Sequence, residues 1–591
     1  MKSMHRPLEK VQYLYPKSIT TSFITDIHVC SQIGLGTGME SGLSYIRSDK
    51  ASSAPYTTVP KLLQKWASLK PDQEAFVFYN QDLIRRSITY DRLYKDSVKL
   101  AKGLVRKGIG SEDIVGVGGN NTPEWLVSTF AVQLAGARPI HFPFLDKAGK
   151  GIKDLLNSVG GCSMLIFDPG HEDSHWKIIQ NLATVDPETG SVRKSDVASL
   201  KWVVLESPLA TSQKVLTISD LFCDEEIKLP TIDPEDIGAI LTTSGSTGRP
   251  KPVEYSHYYI MQNGKRMAKG GDVDSLIEKG KSFLYFNDRP FFWSGGYPWS
   301  AIIYGGTRIT LSTTLAFPSI SDMINFSSKI IEREKPNAGL FMVPFLLEII
   351  SRESGQLVPE KCLDGIGKFY DVVCNLYGTT ENGILATEFH RSSSLSFGMV
   401  PTDGMEIKVV DADNKMLPLG ENGEILGRMC PSFRGYLKNE EQTKKVLTQS
   451  GWYKTDDFGH ITKDGRLKIL GRVSDMMLIA GSNVLPSAIE SIIRKHPGVQ
   501  DVVVFPIKDV KHADDIPCAA IVRKDGVKFN EESLREFVLK DLNIDNEAVF
   551  LENLFVPKYI VFHNTDLPKT PNGKTDRKKT RDLSIPLIKQ I

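Results

Sequence analysis

The chain has 591 residues, too many for one ordinary hydrophobic core, so two or more domains are expected. Its 41% hydrophobic and 24% charged residues are the mix of a soluble globular protein, and a formal net charge of +1 supplies no long-range field for nucleic acid or an anionic membrane. Seven scattered cysteines without a C-x-x-C pair argue for buried free thiols over a zinc knuckle or disulfide framework, and no run of about 18 apolar residues offers a membrane span.

The first fifty residues lack an apolar signal-peptide core. Lys2, His5, Arg6, Lys10 and Lys17 against Glu9 fit either a mitochondrial presequence or a cytosolic extension. The polar stretch 41–56 reads as a lead-in. From Val59 the pattern becomes regular: Val59, Leu62, Leu63 and Trp66 predict a helix, and 75–79 a strand. Thr89 precedes an amphipathic helix through Leu93, Leu100 and Leu104 that Gly108 ends. Next come a strand over 114–118 and a helix opened by Asn121-Thr122-Pro123-Glu124. Strands alternating with helices predict a layered α/β body. Short strands with Gly turns follow between 456 and 474. Beyond Met476 the expected elements are a helix over 487–495, strands over 502–506 and 519–522, and a helix over 531–540. The division that results is an N-terminal extension over 1–55, a body over 56–471, a hinge over 472–475 and a small C-terminal α+β domain over 476–591.

After the apolar strand 237–241 comes Thr242-Thr243-Ser244-Gly245-Ser246-Thr247-Gly248-Arg249-Pro250-Lys251. Small hydroxylic residues and two glycines let the backbone approach a polyphosphate, hydroxyls and amides donate to it, and Lys251 adds a point charge. Lysine falls three residues after Gly248 with proline between, so this is not the G-x-x-x-x-G-K-[ST] loop. A second cluster, Tyr377-Gly378-Thr379-Thr380-Glu381, pairs an aromatic plane suited to a nucleobase with a carboxylate suited to a hard cation. A third, Gly451-Trp452-Tyr453-Lys454-Thr455-Asp456-Asp457, ends in an acceptor-only carboxylate suited to two sugar hydroxyls.

These motifs, with Gly471-Arg472-Val473-Ser474-Asp475 and Pro568-Lys569-Thr570-Pro571-Asn572-Gly573-Lys574, resemble those of the adenylate-forming superfamily of acyl-CoA synthetases, 4-coumarate–CoA ligases and luciferases, over most of the chain from Val59 to Lys578. The resemblance implies a large multi-subdomain α/β body with a small mobile lid. It implies ATP binding by Thr243, Ser244, Gly245, Ser246, Thr247, Gly248 and Lys251. Tyr377 with Gly378 and Thr379 would line the adenine site, Thr380 would reach the α-phosphate, and Glu381 would hold Mg²⁺. Asp457 would take the ribose, Arg472 the ribose or phosphate, and Lys574 would be the adenylation lysine. Ala480 and Gly481 would line the tunnel for coenzyme A.

The implied activity is AMP-forming carboxylic acid–CoA ligation, with the medium-chain fatty acyl-CoA ligases as the nearest subfamily. An aromatic-acid ligase or luciferase-like enzyme is the alternative. The partners are then a small carboxylic acid, ATP and CoA, with no nucleic acid, in the cytoplasm or the mitochondrion. Phe291-Phe292-Trp293-Ser294-Gly295-Gly296 stands where the family's P-x-F-H-x-x-G lines the acyl pocket, with Trp293 in the histidine's place and Gly296 at its end.

Three departures from the family pattern stand out. Asp456 replaces a glycine, adding a charge near the sugar. Ser474 stands at the hinge position, where Asp or Lys is usual. Between Val343 and Tyr377 the family fits a helix, a strand with a Gly-Gly turn and another helix, whereas this chain has room for a helix over 345–352 and little more. That shortening reads as a deletion of one wall of the adenine pocket. A catalytically impaired splice product or paralogue is therefore a further expectation.

Gly34, Gly36 and Gly38 lack the flanking strand and helix of a dinucleotide fingerprint. His512 with Asp514 and Asp515 reads as a charged turn between strands.

Overall fold

A computed structural model describes residues 11–14, 42–52, 54–144, 146–211, 213–243, 250–269, 273–312, 320–341, 372–391, 398–429, 432–479, 482–509, 514–541, 555–569 and 575–588. Residues 342–371 of the short segment before Tyr377, the Gly34–Gly38 cluster and His512 fall outside them.

Among the described residues, three large sheets build the body. The six-stranded one runs Trp202–Leu205, Met164–Phe167, Ile114–Gly118, Arg138–Phe142, Ile237–Thr242 and Pro252–Ser256, parallel except for its last pair. The nine-stranded one is mixed. Its parallel half comprises Ala338–Phe341, Leu284–Asn287, Thr307–Leu311 and Glu74–Tyr79, edged by Arg85–Thr89. Its antiparallel half comprises Val372–Thr379, Gly383–Arg391 and Val400–Pro401. Between the halves lies Val11–Leu14, antiparallel to Ala338–Phe341 on one side and Val372–Thr379 on the other. The ladder is thus continuous across the two strands that flank the short segment.

The third sheet, Tyr45–Arg47, Met405–Val410, Gly423–Met429, Tyr453–Ile461 and Leu467–Arg472, is antiparallel throughout. Its edge strand comes from the stretch read above as a lead-in. Ile46 is fully buried while Arg47 is exposed, an alternation too short to stand out among polar neighbours. Beyond Arg472 the chain forms the hairpin Met477–Ile479 with Ser482–Val484. It then forms a sheet of Val499–Asp509, Asp514–Arg523 and Tyr559–His563, flanked by the helices Pro486–Ile493, Glu531–Asp541 and Arg577–Ile588. Its core is separate from the body's.

The helix Pro123–Leu134 shows how local sequence and packing agree. The Thr122 hydroxyl accepts from Trp125 N–H at 2.9 Å and Pro123 fills the first turn, where no donor is needed. Apart from Glu124 its residues are buried, as expected of a helix that is apolar all round. Trp125 packs on His141 at 4.6 Å and Phe291 at 5.1 Å, so this helix joins the six-stranded sheet to the 288–299 segment.

Asn121, just before it, is a buried staple. Its amide donates to the carbonyls of Arg289 (3.2 Å) and Leu311 (3.0 Å) and to Thr310 Oγ1 (3.2 Å), and its oxygen accepts from Phe291 N–H at 2.8 Å. Truncation to alanine leaves several buried groups unpaired, each costing about 1–3 kcal/mol. Asn121→Ala is expected to lose about 3 kcal/mol in urea unfolding, and Asn121→Asp nearly as much, because a carboxylate cannot donate.

Two buried histidines set an acid limit. Burial pushes the pKa values of His141 and His257 down from 6.5 to about 3. A histidine whose folded pKa lies below its unfolded value contributes stability that is present above about 6.5 and is lost as pH falls toward the folded value. Each is expected to add a slope of about 1.4 kcal/mol per pH unit below pH 6. Urea unfolding at pH 7, 6 and 5 measures it. His257→Gln, which can still accept from Val59 N–H, is expected to flatten the slope.

Candidate active site

The turn joining Val372–Thr379 to Gly383–Arg391 carries Thr380 and Glu381. Gly383 has φ +62°, and a Cβ there would fall 1.5 Å from Asn263 Oδ1, so both conformation and space demand glycine. Thr379 Oγ1 accepts from Asn382 N–H at 3.0 Å. The Tyr255 hydroxyl donates to the Thr380 carbonyl and the Tyr259 hydroxyl to that of Glu381. These tyrosines come from the strand Pro252–Ser256 and the helix His257–Lys269, with rings 4.9 Å apart. The backbone of the turn is therefore held from outside, which frees its side chains for other partners.

Glu381 is 6% exposed, and its Oε1 accepts from the Tyr436 hydroxyl at 2.6 Å. Burial first, then the Glu381 charge, pushes the Tyr436 pKa up, so this hydroxyl remains a donor. Lys251 Nζ lies 5.1 Å from the centre of the Tyr436 ring, within cation–π range. Thr243 N–H donates to the Lys251 carbonyl at 3.0 Å, and Lys251 N–H returns a bond to Thr243 Oγ1 at 3.4 Å. This clasp closes the base of the hydroxyl-rich loop. Ser244, Gly245, Ser246, Thr247 and Gly248 lie outside the described residues.

On the preceding strand, Tyr377 reaches the third sheet, where its hydroxyl donates to Asp457 Oδ2 at 2.7 Å. Burial, then the Asp457 charge, raises the Tyr377 pKa well above 10, so the phenol stays protonated. Arg472 Nε lies 3.6 Å from Asp457 Oδ1, as the ladder pairs Asp457 with Arg472 across adjacent strands. Burial lowers the Arg472 pKa, but Asp457, Asp456 and Asp475 outweigh it and raise the value. Tyr377, Asp457 and Arg472, widely separated along the chain, thus converge beside the turn that bears Glu381.

In the 288–299 segment a buried Asp288–Arg289 pair (2.5 Å) anchors one end. Arg308 also holds it, donating to the Gly296 carbonyl and, at 2.8 Å, to that of Arg289. Desolvation lowers the Arg308 pKa to about 10, still cationic at neutral pH. Gly296 has no room for a side chain, since a Cβ would sit 1.9 Å from the Pro290 carbonyl oxygen. Trp293 folds over Gly295, with the Arg289 guanidinium 6.0 Å from its ring.

Ala480 and Gly481, between the paired residues Ile479 and Ser482, lie outside the described residues, as does Lys574. The ends of its loop are paired: Lys569 and Thr575 form an antiparallel bridge, and Lys569 Nζ donates to Thr575 Oγ1 at 2.8 Å. Ser474 lies in a single 3₁₀ turn, Val473–Asp475, between the last strand of the body and the first of the C-terminal domain.

Sequence reasoning missed Tyr255, Tyr259 and Tyr436. Tyr255 lies in a strand and Tyr259 in the helix that follows, so no single periodicity marks them as neighbours. Nothing local marks Tyr436 as the partner of a carboxylate 55 residues earlier.

Comparison with known proteins gives the family. The family model described as "AMP-binding enzyme" matches residues 63–437, and "AMP-binding enzyme C-terminal domain" matches 488–574. The chain belongs to the AMP-binding enzyme family, and hence to the adenylate-forming superfamily whose motifs it carries. A putative acyl-CoA synthetase of Bacillus subtilis, YngI, is 24% identical over 90% of this chain and 98% of its own length. The mitochondrial medium-chain acyl-CoA ligase ACSF2 of Danio rerio is 26% identical over 91% and 90%. The 4-coumarate–CoA ligase 2 of Petroselinum crispum is 27% identical over 84% and 89%.

Among solved structures, the O-succinylbenzoate coenzyme A synthetase MenE of Bacillus subtilis, in complex with AMP, superposes with a TM-score of 0.63 at 20% identity, covering 88% of this chain and 98% of MenE. ATP-bound MatB of Rhodopseudomonas palustris gives 0.65 at 19%, covering 89% and 99%. The shared architecture is the mixed α/β adenylate-forming fold with its C-terminal domain.

Proposed function

We propose that this chain is an AMP-forming carboxylic acid–CoA ligase that activates a medium-chain fatty acid. The convergence of Tyr377, Asp457 and Arg472 beside the Glu381 turn carries the reading, because it groups a base-stacking ring, a sugar acceptor and a cation as one nucleotide requires. Relatives named as acyl-CoA and 4-coumarate–CoA ligases support the reaction class, and the ACSF2 relatives support the medium-chain acid.

In the first step an oxygen of the substrate carboxylate attacks the α-phosphorus of ATP. A new P–O bond forms, and the bond to the bridging oxygen breaks, releasing pyrophosphate. Asp457 accepts the ribose hydroxyls while Tyr377 and Arg472 hold that carboxylate in place. Thr380 reaches the α-phosphate, and Thr243 to Lys251 enclose the outgoing pyrophosphate. Lys574 offsets the charge that builds at phosphorus. In the second step the CoA sulfur attacks the acyl carbon past Ala480 and Gly481, the thiol proton is lost, and AMP leaves. The lid turns about 472–475 between the steps. Trp293 and Gly296 shape the acyl pocket.

Magnesium fits Glu381, a hard oxygen donor. Among the described residues no group of three or more His, Cys, Asp or Glu could hold a metal, so phosphate oxygens and water would complete its sphere, as this ion prefers. When bound it neutralises charge on the triphosphate. The reading places the enzyme in the cytoplasm or mitochondrion. No described helix is long and apolar enough to cross a membrane.

Pyrophosphate release, measured with CoA and a panel of C4 to C16 fatty acids, coumarate, benzoate and luciferin, tests the proposal. Release peaking at middle chain lengths is the expected result. A peak with aromatic acids moves the substrate to that class, and no release with any acid overturns the catalytic reading in favour of the impaired one.

A further inference from the structure

Two of the residues that depart from the family pattern meet in space. Asp456 stands where the motif has glycine, and Ser474 where the hinge usually has a charge. The Asp456 carboxylate accepts from Ser474 N–H at 3.0 Å through one oxygen and from Ser474 Oγ at 2.5 Å through the other. Asp456 pays for this position with φ +63°, a left-handed conformation that glycine enters without strain. Each residue alone is an oddity, while together they make a two-point clamp.

We propose that Asp456 and Ser474 form a hinge latch that biases the lid toward one of its two orientations. Asp456 is fixed in the body, inside the strand Tyr453–Ile461, one residue from the pair Asp457–Arg472. Ser474 lies on the single covalent crossing to the C-terminal domain. Rotating that domain requires new φ and ψ values within 472–475, which re-aim the Ser474 amide. A carboxylate that binds both the amide and the hydroxyl can satisfy only one such orientation. Hydrogen bonds to an ionised acceptor are the strong kind, and these are partly exposed, so a modest bias follows rather than a lock.

Nearby contacts belong to the same arrangement. Arg577 of the last helix lies 3.9 Å from Asp475, and Ser487 Oγ donates to the Leu470 carbonyl at 3.1 Å, tying the C-terminal domain to the last body strand. The charged groups around the latch include Glu424, Lys454, Asp457, Arg472 and Asp475. Asp456 acts through Ser474 and is a positioning residue. The latch uses the hydroxyl and amide of the hinge in place of its usual charge.

The role in turnover rests on the ligase reading above, so the test has two arms. In the first, fluorescence energy transfer between Lys444 on the body and Glu532 on the C-terminal domain reports lid orientation without turnover. Labels enter through non-canonical amino acids, because seven native cysteines would compete. Asp456→Gly, which removes both bonds, and the double variant are expected to shift the ratio of the two populations by about tenfold and by the same factor, while Ser474→Ala, which keeps the amide bond, shifts it in the same direction by less. Ser474→Thr, which keeps the hydroxyl, is expected to retain the wild-type ratio. Unchanged populations in both single variants, or effects that multiply in the double variant, overturn the latch.

In the second arm, pyrophosphate exchange is compared with thioester formation from preformed acyl-adenylate. The ratio of these two rates is expected to move with the populations. A shift in populations with no turnover in any variant, wild type included, supports the latch and counts against the ligase reading alone.

Discussion

Replacing Asp457 by alanine is expected to lower adenylate formation by at least about a hundredfold. Its carboxylate accepts from Tyr377 at 2.7 Å, lies 3.6 Å from Arg472, and is the group proposed to accept the ribose hydroxyls. Hydrogen bonds to a charged acceptor are worth about 1.5–3 kcal/mol each, so losing two to the sugar alone predicts about 10²-fold or more. Truncation also strands a buried phenol and a cation that would otherwise be held in place. Isothermal titration with AMP and pyrophosphate exchange measure the effect. Asp457→Asn keeps the shape and one acceptor, and should fall between wild type and alanine. Affinity for AMP unchanged in both variants would show that the sugar is held elsewhere.

Glu381→Gln is expected to reduce adenylation by about a hundredfold while leaving the melting temperature nearly unchanged. Glutamine still accepts from the Tyr436 hydroxyl, so the turn keeps its 2.6 Å bond, but the charge that suits a divalent cation is gone. Tyr436→Phe poses the complementary question. It leaves the carboxylate in place but removes the donor that orients it, and a misplaced charge-stabilising group commonly costs about tenfold or more. Raising Mg²⁺ is expected to recover Tyr436→Phe substantially and Glu381→Gln very little. Equal recovery of the two by Mg²⁺ would mean that Glu381 has no role at the metal.

Much of the chain was legible as sequence wherever the signal is local. The helix starting at Thr122-Pro123 and the strands 75–79 and 114–118 follow from caps and apolar periodicity, which nearby residues set. The edge strand Tyr45–Arg47 was not legible, because three residues are too few for alternation to register, and pairing with Met405–Val410 decides it. Val11–Leu14 was hidden for a similar reason. Its strand character depends on two partners more than 300 residues away. Asn121 looked like part of a helix cap. Its role as a staple between the two large sheets exists only once those sheets are packed.

The sequence by itself determined the family and singled out the candidate chemistry-bearing residues. Phosphate, sugar and nucleobase each demand particular side chains at close spacing, so Thr243, Lys251, Tyr377, Glu381, Asp457 and Arg472 could be named from short motifs. Only the tertiary structure decided which of them lie in contact. Tyr377 and Asp457 are 80 residues apart, Glu381 and Tyr436 are 55 apart, and Asp456 and Ser474 are 18 apart. Those pairings follow from strand register and from where the chain returns in space. A hydrogen bond between distant residues leaves no periodic trace along the sequence, because each partner only needs to be polar and correctly placed by the fold. For that reason Asp456 and Ser474 read as separate anomalies in one dimension and as a single clamp in three.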